Sequence, residues 1–340
     1  MQKFPPLCPL DMKKVLVVTY YWPPSGGGGV QRWLKFVKYL PLFGWQPVVY
    51  TPEQQNAPAI DASLSRDIAP GLIVIRQPIW EPYSWYRRLT GRSKNENLGA
   101  GFASSKKSSP YLEAISNWVR SNFFIPDARM FWVRPSVRYL KKVIENHKID
   151  VVVTTGPPHS LHLIGLGLKE QTGVKWLADF RDPWTDIDFY DQLKLTTWAN
   201  KKHHRLERKV LAMADLVVSV SKSNAEKLTS KGKTNLCVIT NGYDEDDIKE
   251  ISGKPDTKFS IAHIGTFMAN RNPRILWEVL AGLIAKNETF KNDVQLHLVG
   301  HTDALILDDI NRWGLSGILR LSNSVDHVSA VQLQKIHNSC

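Results

Sequence analysis

Short apolar runs rich in β-branched residues recur along the first two thirds of the chain. They are Val15–Tyr20 (VLVVTY), Pro47–Thr51, Leu72–Arg76, Asp150–Thr155 (DVVVTT), Lys175–Asp179 (KWLAD), Leu216–Val220 and Leu236–Thr240 (LCVIT). Runs without strict alternation suit strands covered on both faces, as in parallel sheets. Between them apolar positions recur at helical spacing. Val30, Leu34, Val37 and Tyr39–Leu40 alternate with Arg32, Lys35 and Lys38. Ser136–Asn146, the segment after Ser160 and the basic stretch Thr196–Met213 read as further helices, with Ser160 and Ser223 as N-caps. Strands alternating with helices predict an α/β domain around a parallel sheet, whose ligands lie beyond the carboxyl ends of the strands.

A second α/β run follows. Phe259–Gly265, Val294–Val299 and Ile318–Leu321 read as strands, and Pro273–Lys286 and Ser329–Asn338 as helices. Gly242–Lys258 is acidic and then loose, and reads as a linker. The expected organisation is a first domain over residues 12–241 and a partial second domain over 259–340. The second run stops inside an element, so the sequence reads as a fragment.

Three turns follow strand ends in the first domain. The first is glycine-rich: Gly26 to Gly29 stand where a strand hands over to a helix. Glycine lets a ligand approach the backbone, and a helix start offers unpaired N–H groups and a positive dipole end. The spacing is not that of a dinucleotide fingerprint, because Gln31 occupies the third glycine position, and no Gly-Lys-Ser/Thr follows. A phosphate cradle and a purely structural turn both fit. The second turn is Gly156-Pro157-Pro158-His159-Ser160, and the third is Phe180-Arg181-Asp182-Pro183-Trp184. Three polar turns on one rim make a cleft.

Composition narrows the classes. The 340 residues are 43% hydrophobic and 22% charged, as in a water-soluble globular chain. Cys8, Cys237 and Cys340 are far apart, which excludes a disulfide framework or a Cys-x-x-Cys metal site and favours a reducing cytoplasm. Met1–Asp11 lacks the apolar run of a signal peptide, and no apolar run is long enough to span a bilayer. The net charge is +12, and thirteen Lys/Arg against five Asp/Glu lie between Trp80 and Lys148. Trp80, Tyr83, Trp85, Tyr86, Phe102, Trp118, Phe123, Phe124, Phe131 and Trp132 are interleaved with them. This basic, aromatic insertion over residues 80–135 predicts an anionic membrane surface as partner rather than nucleic acid, for which no motif is present. A solvated basic face over an ordinary core is the alternative. Arg87, Arg88, Lys106 and Lys107 are the cations on which the membrane reading leans.

In order and spacing, several short motifs resemble glycosyltransferase family 4. They are Gly27–Arg32 (GGGVQR), Ile239–Asp244 (ITNGYD), His263–Phe267 with Arg271–Pro273, His297–Gly300 and Ser324–His327. TTGPPHS together with LADFRDPW is similar to the members that build bacterial envelope polysaccharides. The resemblance implies the GT-B fold: α/β, two Rossmann-like domains with parallel sheets, the second incomplete here. It implies retaining transfer of a sugar from a nucleotide-diphosphate donor to a glycan or lipid-linked acceptor, with no metal or other cofactor, in the cytoplasm at the inner face of the membrane. Carried over, Gly28 and Gly29 would face the donor pyrophosphate and Arg271 would neutralise the leaving diphosphate. Gly265, Thr266 and Asn241 would line the donor or sugar cleft. His159, Arg181 and Asp182 would form the catalytic group, with His159 on sugar or acceptor and Asp182 orienting the acceptor hydroxyl.

Each of these has a plainer role available. Asp182 before Pro183 also suits a turn, and His159 also suits a cap. Asp179, at the end of an apolar strand, reads as structural, and His203-His204 as surface residues of a basic helix. The family's Glu-x7-Glu pair does not occur after Gly300. Two rival classes are a non-catalytic nucleotide- or glycan-binding protein and a dinucleotide-dependent oxidoreductase with Glu53 on a ribose. The absent third glycine and the absence of a Tyr-x-x-x-Lys signature weigh against the oxidoreductase.

Overall fold

The computed structural model describes residues 12–55, 59–80, 110–232, 234–249 and 256–336. Arg87, Arg88, Lys106 and Lys107, with most of the basic insertion, lie outside the described residues. The chain divides into two compact units, Met1–Gly242 and Tyr243–Cys340.

Unit one is a seven-stranded parallel sheet among the described residues, flanked by helices. In chain order it runs β1 (Lys13–Val18), α1 (Gly28–Tyr39), β2 (Trp45–Pro52), β3 (Ile73–Gln77), α2 (Pro110–Phe123), α3 (Met130–His147), β4 (Val151–Gly156), α4 (Ser160–Thr172), β5 (Lys175–Phe180), α5 (Thr197–Met213), β6 (Leu216–Ser219), α6 (Lys222–Ser230) and β7 (Leu236–Val238). The spatial order β3-β2-β1-β4-β5-β6-β7 reverses direction between β1 and β4, which pair in register from Val15–Val151 to Val18–Thr154. Such a reversal opens a crevice at the carboxyl ends of the two strands. Leu16, Val17, Val18 and Val152 are buried, as a doubly covered sheet requires.

The polar–apolar pattern locates these elements, and the boundaries shift where tertiary contacts outweigh local signals. Ser160 is not an N-cap: His159 holds that position without a side-chain cap, and Asp127 reaches from the α3 side to accept from the Ser160 N–H and Oγ, each at 2.9 Å. Ser221 rather than Ser223 caps α6, accepting from the Asn224 N–H. α3 begins six residues before Ser136 and carries Pro135 inside it. Burial of Trp132, stacked on Tyr50 at 5.1 Å, outweighs the missing hydrogen bond at the proline. Trp132 therefore belongs to the core rather than to an exposed aromatic surface.

Unit two holds α7 (Glu245–Lys249), β8 (Phe259–Ile264), α8 (Arg274–Lys286), α9 (Glu288–Asp293), β9 (Val294–Val299), α10 (Ala304–Arg312), β10 (Leu319–Ser322) and α11 (His327–Ile336). Its described strands form a parallel sheet in the order β10-β9-β8. The stretch expected as a loose linker contains α7. Asp247 on that helix is held by His327 Nε2 at 2.9 Å, a contact between distant segments that local composition does not signal. Trp277, Leu280, Leu296, Leu298, Ile306 and Ile310 form its core.

Candidate functional site

The β1–β4 crevice of unit one is bounded by the glycine loop, the His159 turn and the loop after β5. The glycine loop is set by close backbone approach. A Cβ at Gly26 would lie 2.9 Å from Asp61 Cβ, and Gly27 adopts a φ of +93° that favours glycine. Gly27 is also the N-cap of α1, so no side chain caps that helix. The first turn of α1 contains no acidic side chain, and a Cβ at Gly28 would meet nothing within 4 Å. An open, uncapped helix start of this kind can receive an anion.

Gly29 is different. A Cβ there would lie 3.1 Å from Arg181 Nη1 and 3.2 Å from Tyr21 Cδ2. Arg181 Nη1 donates to the Gly29 carbonyl at 2.7 Å, and Nη2 and Nε donate to the carbonyls of Pro157 and Gly156. The half-buried guanidinium thus ties the loop after β5 to both other turns. Burial lowers its pKa, while Asp179 and Asp182 oppose that shift. The structure brings Arg181, Gly29 and the His159 turn together and leaves Gly28 open beside them. Asp182 is exposed at the same loop.

His159 is 9% exposed, and its ring stacks on Trp184 at 5.1 Å with an interplanar angle of 5°. Burial pushes its pKa down to about 4, so the imidazole is neutral at pH 7, and its Nδ1 has no hydrogen-bond partner. That nitrogen is itself buried, facing Gly156. Beneath it, Thr154 Oγ1 bonds His162 Nδ1 and accepts from Trp176 Nε1, both at 2.9 Å.

The supporting residues are ones that local sequence does not mark. His203 is 4% exposed rather than a surface residue: its Nδ1 accepts from Trp184 Nε1 at 3.0 Å. One turn on from His203 along α5 is Glu207, fully buried, which accepts from Thr185 Oγ1 at 2.6 Å and from Lys231 Nζ at 2.7 Å. α5 therefore fixes Trp184 and, through it, the His159 ring. The helical period was the available signal: positions 199, 203, 207 and 210 share one face.

Asp179, fully buried, accepts from Arg32 Nε (3.2 Å), Arg32 Nη2 (3.0 Å), Trp33 Nε1 (2.6 Å) and Thr155 Oγ1 (3.0 Å). This fits its reading as a structural residue. Arg32 spends its remaining N–H groups on the carbonyls of Ile239 and Thr240 and on Asn241 Oδ1. The glycine-loop motif and the Ile239–Asp244 motif therefore meet through Arg32, and the Asn241 amide oxygen is engaged there.

In unit two, Gly265 and Thr266 follow β8 and are exposed, as is Arg271. Gly265 has a φ of +139° and Gly300 one of +109°; a Cβ on Gly300 would lie 2.4 Å from the Gly265 carbonyl oxygen. The turns after β8 and β9 thus touch backbone to backbone. Next to Arg271, Asn272 donates to Asp309 at 2.8 Å and accepts from Trp277 Nε1 at 2.7 Å, which anchors the turn.

The profile described as Glycosyltransferase Family 4 matches residues 102–247, which include the His159 turn, the Arg181 loop and Asn241. Over those residues the chain is similar to glycosyltransferase family 4. No curated protein matches its sequence. Among solved structures, sucrose-phosphate synthase from Thermosynechococcus elongatus aligns at 13% identity and a TM-score of 0.59, over 96% of this chain and 74% of that one. A TarM mutant from S. aureus, solved with fondaparinux, alpha-GlcNAc-glycerol and UDP, aligns at 11% identity and TM-score 0.53, over 92% of this chain and 78% of that one. A glycosyltransferase from Rickettsia africae aligns at 13% identity and TM-score 0.55, over 96% and 71%. These likenesses establish a GT-B-like fold. Among the described residues no helix is long and apolar enough to cross a membrane.

Proposed function

We propose that this chain is a family 4 glycosyltransferase that transfers a sugar, with retention, from a nucleotide-diphosphate donor to a glycan or lipid-linked acceptor of the cell envelope. The observation that carries the reading is the open start of α1 at Gly28, held by Arg181 against the turn that bears His159. An uncapped helix start attracts the donor pyrophosphate. His159 lies on the sugar or acceptor side of the site, and Asp182 orients the attacking hydroxyl at the same rim. In unit two, exposed Arg271 supplies a cation for the charge that develops on the leaving diphosphate, and Gly265 and Thr266 admit the donor near the backbone. With the leaving phosphate accepting the acceptor's proton, retention needs no general base on the opposite face. The relative solved with UDP supports a nucleotide donor. A cytoplasmic chain working at the inner membrane face suits a lipid-linked acceptor.

The test is a panel of nucleotide sugars with lipid-linked acceptors, read as released nucleoside diphosphate and as labelled glycolipid. Asp182→Asn should lower kcat at unchanged nucleotide affinity, and Arg271→Ala should weaken nucleotide binding. Tight binding with neither hydrolysis nor transfer across the panel would instead support a binding protein.

A further inference from the structure

α2 leaves an apolar face in solvent. Ile115 is 44% exposed, Trp118 43%, Val119 37% and Phe123 60%, and all lie along one side of the helix. Burying such a stripe is what normally stabilises a surface helix, so its exposure points to a partner. α2 is not loosely attached. Asn122, 2% exposed, falls by helical spacing within the same arc and accepts from the Thr196 N–H at 2.6 Å while donating to the carbonyls of Trp118 and Lys194. This clamps the end of α2 to the start of α5.

α5 brings a second kind of surface to the same junction. Trp198 is 58% exposed in its first turn, with Lys202 Nζ 4.7 Å from its ring. Lys201, Arg205 and Arg208 follow on the exposed side. The helix has five Lys/Arg and one acidic residue, and that residue, Glu207, is turned inward and paired with Lys231. The outer face of α5 therefore carries positive charge with no carboxylate of its own helix to offset it.

We propose that the exposed face of α2 and the Trp198 end of α5 together form the surface that docks this chain on an anionic lipid bilayer. The aromatic and aliphatic side chains enter the headgroup–acyl boundary, and Lys201, Lys202, Arg205 and Arg208 contact lipid phosphates. Exposed Trp and Phe beside a one-signed basic stripe match the layered chemistry of that boundary. A nucleic acid would use the charge but leave the aliphatic stripe of α2 in water. The proposal deepens the lipid-linked reading of the acceptor, and its test contains no donor or acceptor, so either can fail alone.

The whole chain is sedimented with vesicles of phosphatidylcholine alone or mixed equally with phosphatidylglycerol, at low and at physiological salt. Binding should require the anionic lipid and weaken with salt. Replacing Lys201, Arg205 and Arg208 by Gln should reduce the partition coefficient about fivefold per charge at low salt. Trp118→Ser with Phe123→Ser should abolish binding at physiological salt while leaving the melting temperature unchanged. Unaltered vesicle binding by both variants would overturn the proposal. So would a lower melting temperature of the α2 variant, which would mean the chain itself covers that face, or its conversion from dimer to monomer in light scattering. Retention of RNA in place of vesicles would identify the other class of partner and overturn it as well.

Discussion

Arg32 and Asp179 form a fully buried, two-pronged ion pair, with Nη2 to Oδ1 at 3.0 Å and Nε to Oδ2 at 3.2 Å. All five guanidinium N–H groups are used, two on Asp179 and three on Ile239, Thr240 and Asn241. Helix α1, strand β5 and the end of unit one are joined at one residue. A buried pair of this kind is costly to break, because the surviving charge stays buried without its counter-ion.

Asp179→Asn, which keeps the shape and removes the charge, should destabilise unit one by about 3–5 kcal/mol. Arg32→Lys should cost a similar amount, since an ammonium cannot serve the fork. Urea denaturation of the purified variants measures both. Wild-type midpoints for either would show that the pair contributes nothing to the fold.

Gly28 and Gly29 should separate function from stability. Gly28→Ala meets open space, so its melting temperature should match wild type while affinity for a nucleoside diphosphate falls. Gly29→Ala presses on Arg181 and Tyr21 and should lower both. Calorimetric titration with UDP alongside thermal melts tests the pair. Equal nucleotide affinity in Gly28→Ala and wild type would remove α1 from the phosphate site.

Arg181→Met leaves the carbonyls of Gly29, Pro157 and Gly156 without their donor. The expected loss is about 1–3 kcal/mol of stability, with a larger fall in kcat than in nucleotide affinity, because the turns lose their mutual register. If kcat survives at full value in the folded variant, Arg181 is not a positioning residue.

Acid should weaken the fold before the carboxylates titrate. Burial pushes His159 and His203 each down to about 4, against an ordinary 6.5. Between those values the unfolded chain binds more protons, so stability is complete above pH 6.5 and drains as pH falls toward 4. Each group contributes up to about 3 kcal/mol to that loss. His203→Gln retains an acceptor for Trp184 and should flatten the slope of unfolding free energy over this window. A mutant slope equal to wild type would place the acid sensitivity elsewhere.

Much of the fold was legible because buried parallel strands need unbroken β-branched runs, and DVVVTT or VLVVTY admits few other roles. The glycine loop was legible as an open corner, and Asp179 as structural from its place at the end of an apolar strand. His203 was legible only through the helical period: of two adjacent histidines in a basic helix, its register with Ala199, Glu207 and Val210 marks the one that faces inward. α7 was hidden, since its acidic turn is held by His327 from far along the chain.

The sequence by itself determined the α/β class, the strands, the three polar turns and the family resemblance, because these rest on periodicity and on residue types fixed by local backbone demands. The tertiary structure decided which polar residues are turned into the chain and which stand at the rim. Arg32, Arg181 and Asp182 look alike as charged residues beside turns. Only the packing shows that Arg32 spends all five N–H groups and Arg181 three of its own on acceptors within the chain, while Asp182 stands exposed at the rim. That difference depends on partners tens to hundreds of residues away, as with Arg181 and Gly29, and no local pattern encodes it.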